Sequence, residues 1–396
     1  MSKIDELIID LCPHGVEYTN LGSITSESTV RNRERIVLDV RSVTNSAGLV
    51  KTNDFFENTR TSADTSNYKI VESNMIVYNP SRINVGSIAR HLEKSNVIVS
   101  PMYVVVSIDD KKIDPAYLDL FLSSQQGKQQ ILSKVEVGAR FRLTYQSFAR
   151  IRLPLPALEI QKEIVSILNK FSQLDAELSA ELYARRIQRE YYRNHLLGFD
   201  NTELPRLKLG DVAVYSKSRI ASNELDHTNY VGVDNLLQNR QGKADSSYVP
   251  STGNMTCYES GDVLIGNIRP YLKKIWHANT IGGTNGDVLV IHIKEEYKNK
   301  LKSRYLYHLL ASDNFFTFNM QNAKGVKMPR GNKDSIMRFE TPIPAVDEQE
   351  RIILILDTFD RLIHSITEGL PAEIKARRQQ YEYYRTKLFT FQELAI

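Results

Sequence analysis

The sequence has few cysteines and no long apolar run, and these absences exclude several classes of protein. Only Cys12 and Cys257 are present, far apart and outside any CxxC pattern, which argues against a disulfide framework and against a structural zinc site. No stretch of eighteen apolar residues occurs, and residues 1–6 lack the apolar core of a signal peptide. We therefore expect a cytoplasmic chain that has no membrane partner.

Motifs for nucleotide binding and catalysis are missing as well. The sequence contains neither GxxxxGK[ST] nor a GxGxxG after its first predicted strand. Tyr78-Asn79-Pro80-Ser81 has some likeness to the Asn-Pro-Pro-aromatic box of amino-methyltransferases, but it lacks the second proline and the stacking aromatic residue. The glycine-rich residues 282–286 precede a strand pattern and predict a hairpin turn rather than an anion site. We expect no catalytic residue and no metal site.

The dominant feature that is present is a tandem repeat with a period of about 188 residues. Pro154-Leu155-Pro156-Ala157 returns as Pro342-Ile343-Pro344-Ala345, and Leu21-Gly22 returns as Leu209-Gly210. Self-similarity over this length predicts two similar structural units. We predict an α/β (α+β) tandem repeat with pseudo-twofold symmetry, divided into a first globular domain at 1–156, a long helix at 157–200, a second domain at 201–344 and a second long helix at 345–396.

Within each copy, strand patterns come first and helical patterns follow. In the first copy, β-branched and aromatic runs predict strands at residues 35–40, 74–78 and 102–108. Asp114-Pro115 has the residue types of an N-cap and a first helical turn, so a helix should begin there.

The long segments carry apolar residues at alternating steps of three and four, the spacing that keeps one seam facing a partner helix. In the first copy these are Ile160, Ile164, Ile167, Phe171, Leu174 and Leu178. About 40 helical residues would extend ~60 Å, too far to be buried in one domain. We therefore expect the two helices to pair as an antiparallel coiled coil, with a kink or break near Pro371.

Net charge is only +4, but the basic excess lies in the two non-helical parts of the chain. Two basic, glycine-containing loops fall at equivalent repeat positions, residues 137–145 and 322–333, and basic residues also follow one strand in each copy. Such side chains suit phosphates and guanine edges, although solvated surface loops would look the same. The candidate DNA-binding residues are Arg82, Asn84, Arg140, Arg142, Tyr145, Arg269, Lys273, Lys324, Lys327, Arg330 and Asn332.

Tyr191-Tyr192-Arg193 and Tyr383-Tyr384-Arg385 also repeat, near the ends of the two helical segments. Their aromatic rings could stack on nucleobases, but their helical spacing beside the seam favours packing or a protein interface. Together with the glutamines that follow the two Pro-x-Pro sequences, they form the candidate partner-binding set: Gln161, Tyr191, Tyr192, Gln349, Tyr383 and Tyr384.

The Pro-x-Pro-Ala sequences followed by Gln161 and Gln349, the long helices and the repeat organisation resemble the specificity subunits of type I restriction-modification systems. The resemblance covers nearly the whole chain. Alanine stands at Ala157 and Ala345 where the family usually has a second proline, and Ile160 replaces a glutamate in the first copy only. These departures are small.

The resemblance implies that each domain is a target recognition domain reading one half of a bipartite double-stranded DNA sequence, and that the helices set the gap between the halves. It implies two methyltransferase subunits that dock on the helices and bring S-adenosylmethionine, and motor-nuclease subunits that bring ATP, with no cofactor in this chain. Two other interpretations are a coiled-coil adaptor that binds proteins, and a standalone methyltransferase, which the missing catalytic boxes contradict.

Overall fold

The two sequence repeats fold into two units that share one plan. The structure, a computed structural model, describes residues 3–45, 47–52, 64–135, 142–198, 204–364 and 369–394. Unit 1 comprises residues 1–176 together with 376–396, and unit 2 comprises residues 177–375. The first long helix therefore belongs partly to each unit.

The described residues of unit 1 form three sheets that are rich in β-branched residues, which favour strands. A four-stranded antiparallel sheet has the order β2-β9-β6-β7, a second has the order β4-β3-β8-β5 with β3 and β8 parallel, and β1 pairs with β10. The strands are β1 (Tyr18–Asn20), β2 (Thr25–Ser28), β3 (Val40–Thr44), β4 (Gly48–Lys51), β5 (Lys69–Val71), β6 (Ile76–Tyr78), β7 (Ile88–Arg90), β8 (Val97–Val99), β9 (Val104–Ile108) and β10 (Arg152–Pro154).

Short helices of unit 1 lie between β9 and β10, one helix precedes the strands, and the first long helix follows β10. Asp114 caps the second helix by accepting from the Ala116 and Tyr117 amides, as its place before Pro115 predicts. These helices are α1 (Lys3–Leu11), α2 (Pro115–Ser123), α3 (Gln125–Lys134) and α4 (Tyr145–Phe148), and the first long helix is α5 (Leu158–Gly198).

Unit 2 repeats this arrangement. Its sheets have the orders β12-β19-β16-β17 and β13-β15-β18-β14, with β14 and β18 parallel, and β11 pairs with β20. The strands are β11 (Arg206–Lys208), β12 (Ala213–Tyr215), β13 (Arg219–Ala221), β14 (Tyr230–Val231), β15 (Asn254–Tyr258), β16 (Val263–Gly266), β17 (Ile275–His277), β18 (Gly282–Thr284), β19 (Val288–Ile293) and β20 (Glu340–Pro342). The helices are α6 (Leu209–Val212), α7 (Ser303–Leu310), α8 (Asp313–Gln321), α9 (Lys333–Ile336), α10 (Val346–His364) and, returning to unit 1 from residue 376, α11 (Leu370–Leu388).

Each unit has its own apolar core, and long helices from both copies contribute to it. In unit 1, Ile160 and Ile164 near the start of α5 are buried with Phe389, which follows α11 and contacts the rings of Tyr117 and Phe121. In unit 2 the equivalent residues are Ile352 and Leu356 of α10 and Leu197 at the end of α5. Each core is thus completed by the beginning of its own helix and the end of the other.

The middle parts of the helices pair antiparallel within each unit. In unit 1, the Phe171 ring lies 5.6 Å from the Tyr384 ring, and Asp175 accepts from Arg378 at 2.7 Å. In unit 2, the Tyr192 ring stacks on Phe359 with centroids 5.5 Å apart, one turn from the ion pair between Arg189 and Asp360. The predicted antiparallel pairing is confirmed.

The seam prediction needs a refinement, because the first turns of α5 pack on the domain as well as on the other helical segment. Ile160, Ile164 and Leu168 are fully buried in the core of unit 1, which contains domain residues such as Phe121 and also Phe389. Pro371 lies in the first turn of α11, where its missing N–H needs no helical partner.

Two local predictions are wrong. Residues 35–39 form a loop before β3, since Arg35 has φ 56° and the Asn32 side chain bonds both backbone groups of Val37. Residues 282–284 form strand β18 rather than a hairpin turn. Glycine is required there because a Cβ on Gly282 would lie 2.0 Å from the Asn229 carbonyl oxygen.

Candidate nucleic-acid interface

Unit 1 brings two predicted basic segments into contact. Arg82 lies in the loop that follows β6, and Arg142 lies just before α4. The Leu143 amide donates to the Pro80 carbonyl at 3.0 Å, which joins the two segments. Both arginines are exposed. Residues more than fifty positions apart therefore form one basic surface, which we call the unit 1 basic site (Arg82 and Arg142).

Unit 2 repeats this contact at the equivalent positions. Arg269 lies in the loop after β16, and Arg330 lies just before α9. The Gly331 amide donates to the Asn267 carbonyl at 3.0 Å, and the Arg269 amide donates to the Pro329 carbonyl at 2.8 Å. Both arginines are exposed, and Arg330 makes an ion pair of 3.3 Å with Asp287. We call this the unit 2 basic site (Arg269 and Arg330).

A glycine allows the close approach of the two segments in unit 2. A Cβ on Gly331 would lie 2.6 Å from the side-chain oxygens of both Asn267 and Asn319, which are buried. A side chain there would push the segment away from the strand end. Gly331 therefore fixes the position of the neighbouring Arg330.

Residues 324–330 form a short hairpin that adds more positive charge to unit 2. The backbones of Lys324 and Arg330 exchange hydrogen bonds of 2.9 and 2.8 Å, which closes the hairpin. Lys324 and Lys327 are exposed. Within the described residues, no ion pair holds either ammonium group, so both are available to a phosphate.

Three predicted DNA-binding residues have structural roles instead. The Tyr145 hydroxyl donates to the Thr25 carbonyl at 2.7 Å. The Asn332 side chain caps α9 by accepting from the Asp334 and Ser335 amides. Lys273 forms an ion pair with Asp313. These contacts hold the three side chains against unit 2 or unit 1 and account for one polar group of each. Asn84 is exposed beside Arg82, and Arg140 lies outside the described residues.

The predicted partner-binding residues also separate into buried and exposed groups. Gln161 and Gln349 are fully buried, so direct partner contact by their side chains is contradicted. Tyr192 and Tyr384 pack on Phe359 and Phe171 in the helix seam. The remaining two rings are largely open to solvent, with 64% of Tyr191 and 63% of Tyr383 exposed.

The sequence did not predict the buried ion network of unit 2. Arg193 of α5 is fully buried beside Glu190 and 3.8 Å from Asp360 of α10, and Arg189 also pairs with Asp360. Burial lowers the pKa of Arg193 to about 10. Arg240, from the domain, reaches Glu190 at 3.5 Å. Glu190 and Arg193 are one helical turn apart on α5, but no sequence spacing relates them to Arg240 or Asp360, which come from two distant segments.

The network continues to the neighbourhood of the unit 2 basic site. Arg240 pairs with Asp313, and Lys273 pairs with the same carboxylate. The Arg240 amide donates to the Lys273 carbonyl at 2.9 Å, and both residues have positive φ. The loop that carries Arg269 and Lys273 is therefore connected by charged contacts to helix α5.

His308, Asp357 and Asp360 lie close enough together to suggest a metal site. However, Arg304 donates to Asp357 at 2.8 Å, and Arg189 pairs with Asp360. Cationic side chains already neutralise both carboxylates, so the cluster is explained as part of the ion network.

Among the described helices, none is both long and apolar enough to cross a bilayer.

Comparisons with known proteins identify the repeat. A family model described as the type I restriction modification DNA specificity domain matches twice, at residues 24–185 and 206–376. Each match covers most of one domain and more than half of the helical segment that follows it. The two matches together span most of the chain.

Similar proteins carry the same description. The specificity subunit of the type I restriction enzyme EcoR124I/EcoR124II from Escherichia coli is 30% identical over 311 residues, 74% of each chain. A putative type I restriction enzyme specificity subunit from Haemophilus influenzae is 30% identical over 278 residues, 64% of this chain and 67% of the relative.

A solved structure, the HsdS subunit from Thermoanaerobacter tengcongensis, shares the fold with a TM-score of 0.54 at 15% identity, and the match covers 96% of this chain and 97% of that one. The duplicated domains, the long helices and the two family matches lead to one conclusion: this chain belongs to the type I restriction-modification DNA specificity family.

Proposed function

We propose that this chain is the sequence-specificity subunit of a type I restriction-modification complex, in which each unit reads one half of a bipartite DNA target. The observation that carries the proposal is the repeated contact between two basic segments, Arg82 with Arg142 in unit 1 and Arg269 with Arg330 in unit 2. Arginine in such positions can bond guanine edges or phosphates. The two units have different side chains at these surfaces, so the two half-sites need not be alike.

The long helices are proposed to set the distance between the half-sites. Helix α5 has 41 residues, which corresponds to ~60 Å of regular helix. A rigid spacer between two readers selects half-sites by their separation, as dimeric DNA-binding proteins do.

We propose that the complex assembles around this chain. Tyr191 and Tyr383 are exposed aromatic side chains on α5 and α11, the type of residue that is enriched at protein interfaces. Each is proposed to contact one of two methyltransferase subunits. Those subunits would bring S-adenosylmethionine and motor-nuclease subunits would bring ATP, so this chain itself would be non-catalytic and would act on double-stranded DNA in the cytoplasm.

The test is co-expression of the chain with the methyltransferase subunit encoded beside it, followed by co-purification and by sequencing of methylation marks in the host. We expect a stable complex and a split methylated sequence with a fixed gap.

The paired change Arg82→Ala and Arg142→Ala should relax one half of that sequence, and Arg269→Ala with Arg330→Ala should relax the other. Each lost bidentate base contact should reduce discrimination by about tenfold or more.

Arg351→Ala is the matched control, because Arg351 is an exposed α10 arginine that pairs with Glu348 at the surface. It should leave both halves of the methylated sequence unchanged. Tyr191→Ala and Tyr383→Ala should weaken co-purification without changing the sequence that is read. If both arginine pairs relaxed both halves equally, or if no split sequence appeared, the proposed division of labour would be wrong.

A further inference from the structure

The hairpin at residues 324–330 carries an apolar tip that the folding of unit 2 does not use. Val326 is fully exposed, and 49% of the Met328 surface is exposed. A single exposed apolar residue is ordinary on protein surfaces. Here, however, two such residues project between Lys324, Lys327 and Arg330, with no acidic residue from 324 to 333.

The hairpin is held in a defined orientation at its base. The paired backbones of Lys324 and Arg330 close it, and Gly325, with φ 93°, makes a turn that other residues rarely adopt. Hydrogen bonds from Arg269 to Pro329 and from Gly331 to Asn267 attach it to the loop after β16. The tip therefore projects from the unit 2 basic site on a fixed base.

A chain that passes out and back, as this hairpin does, favours the wider DNA groove. The major groove, about 12 Å wide, accepts a two-stranded ribbon, whereas the minor groove is only about 6 Å wide. Within the major groove, the apolar group on a base edge is the C5-methyl of thymine, while the other exposed groups are hydrogen-bond donors and acceptors. An apolar tip flanked by cations thus complements a thymine methyl flanked by phosphates.

We propose that Val326, supported by Met328, reads a thymine in the half-site of unit 2 by contacting its C5-methyl group in the major groove. Lys324 and Lys327 bind the adjacent phosphates and hold the tip at this depth. The inference rests on the proposed function and makes it specific: the unit 2 half-site contains a T·A pair whose methyl group contributes to binding.

The experiment uses the assembled complex of this chain with its methyltransferase subunits. The unit 2 half-site is the one relaxed by Arg269→Ala with Arg330→Ala. In unmethylated duplexes that contain the target sequence, each thymine of that half-site is replaced singly by deoxyuridine, which removes only the methyl group. Affinity and initial methylation rate are measured at one fixed salt concentration, because binding to DNA is strongly salt-dependent.

For the natural chain, we expect one thymine position at which deoxyuridine weakens binding by about fourfold, the effect of removing one buried methyl-sized group. In Val326→Ala, the thymine and deoxyuridine duplexes should bind equally, at the weaker level. Val214→Ala is the matched control, since Val214 is a surface valine of β12 that is 40% exposed. It should retain the fourfold difference.

Three results would overturn the inference: a unit 2 half-site without thymine, no position sensitive to deoxyuridine, or a sensitivity that persists in Val326→Ala. Increased fluorescence of 2-aminopurine beside the sensitive step, seen with the natural chain and lost in Val326→Ala, would mean that the tip separates stacked bases, which also contradicts methyl contact. The proposed function would survive each of these results, because it depends on the split methylated sequence and not on how one base is read.

Discussion

One buried glutamine connects each of the helices α5 and α10 to its own domain. Gln161 accepts from the Asp114 amide at 2.8 Å and donates to the carbonyls of Lys112 and Pro156. Gln349 makes the same three contacts with Lys302, Lys300 and Pro344. Each amide therefore bonds the start of the helix to the segment before another helix of the same domain.

Replacing Gln349 with leucine should destabilise unit 2. Leucine fills similar volume but leaves the Lys302 amide and two carbonyls buried without partners, which should cost about 2–4 kcal/mol. Calorimetry should show a lower Tm for the unit 2 transition. Gln379→Leu, on the exposed face of α11, should change stability by no more than ~0.5 kcal/mol. Equal effects of the two changes would contradict the role assigned to Gln349.

His277 should make unit 2 less stable in mild acid. Burial, with the nearby positive charge of Arg304, lowers the pKa of His277 to about 4, whereas an unfolded histidine has a pKa near 6.5. Between these values the unfolded chain binds the proton and the folded one does not, so stability falls as pH falls from about 6.5 to about 4. The loss at pH 5 should be on the order of 1 kcal/mol, allowing for partial solvent screening.

His277→Gln should remove this part of the pH dependence, and unfolding of both proteins at pH 7.5 and 5 measures it. The exposed His227 provides the control, since His227→Gln should retain the natural slope. A slope in His277→Gln as steep as in the natural chain would show that His277 does not carry the effect.

At the scale of the element, helix α10 bears both a buried and an exposed ion pair. Asp360 lies among Arg189 and Arg193, and their charges outweigh burial and lower its pKa. Asp360→Asn should leave the two buried arginines with Glu190 as their remaining carboxylate partner, and it should reduce the free energy of unfolding by about 3 kcal/mol. Denaturant unfolding of unit 2 tests this.

Glu348→Gln is the comparison on the same helix. Its partner Arg351 is 54% exposed, and pairs of this type contribute about 0–1 kcal/mol. A large effect of Glu348→Gln together with a small effect of Asp360→Asn would reverse the importance that we assign to the two pairs.

The sequence predicts those features of the helices that depend on neighbouring residues, but not those that depend on residues far away in the chain. The three-and-four spacing predicts a helix and an apolar face, and Pro371 predicts a break, because both depend on neighbouring residues. The spacing cannot tell whether Ile160 packs on a domain or on another helix. Nor can it predict that Arg193 is buried: its partner Glu190 is one turn away on the same helix, but its second partner Asp360 is 167 positions away.

At the scale of the whole molecule, the repeat predicts two similar units because equal sequences fold alike. It also predicts the basic sites, since Arg142 and Arg330 occupy equivalent positions in basic loops. Which segments would adjoin them was not predictable, because the Leu143–Pro80 and Gly331–Asn267 contacts depend on tertiary folding. The exchange of helix ends between the repeats, with Phe389 in the core of unit 1, gives no sequence signal either.

That exchange makes the two units unequal in chain topology, although they are alike in fold. Unit 2 is one uninterrupted stretch, residues 177–375, inserted into unit 1, whose own core needs both a leading and a trailing segment.

Residues 177–375 expressed alone should unfold in one cooperative transition. Residues 1–176 alone should expose the apolar surface that Phe389 covers, bind a hydrophobic dye, and lose that binding when a peptide of residues 376–396 is added. Unit 2 can therefore fold independently, whereas unit 1 can complete its core only after its trailing segment has been synthesised.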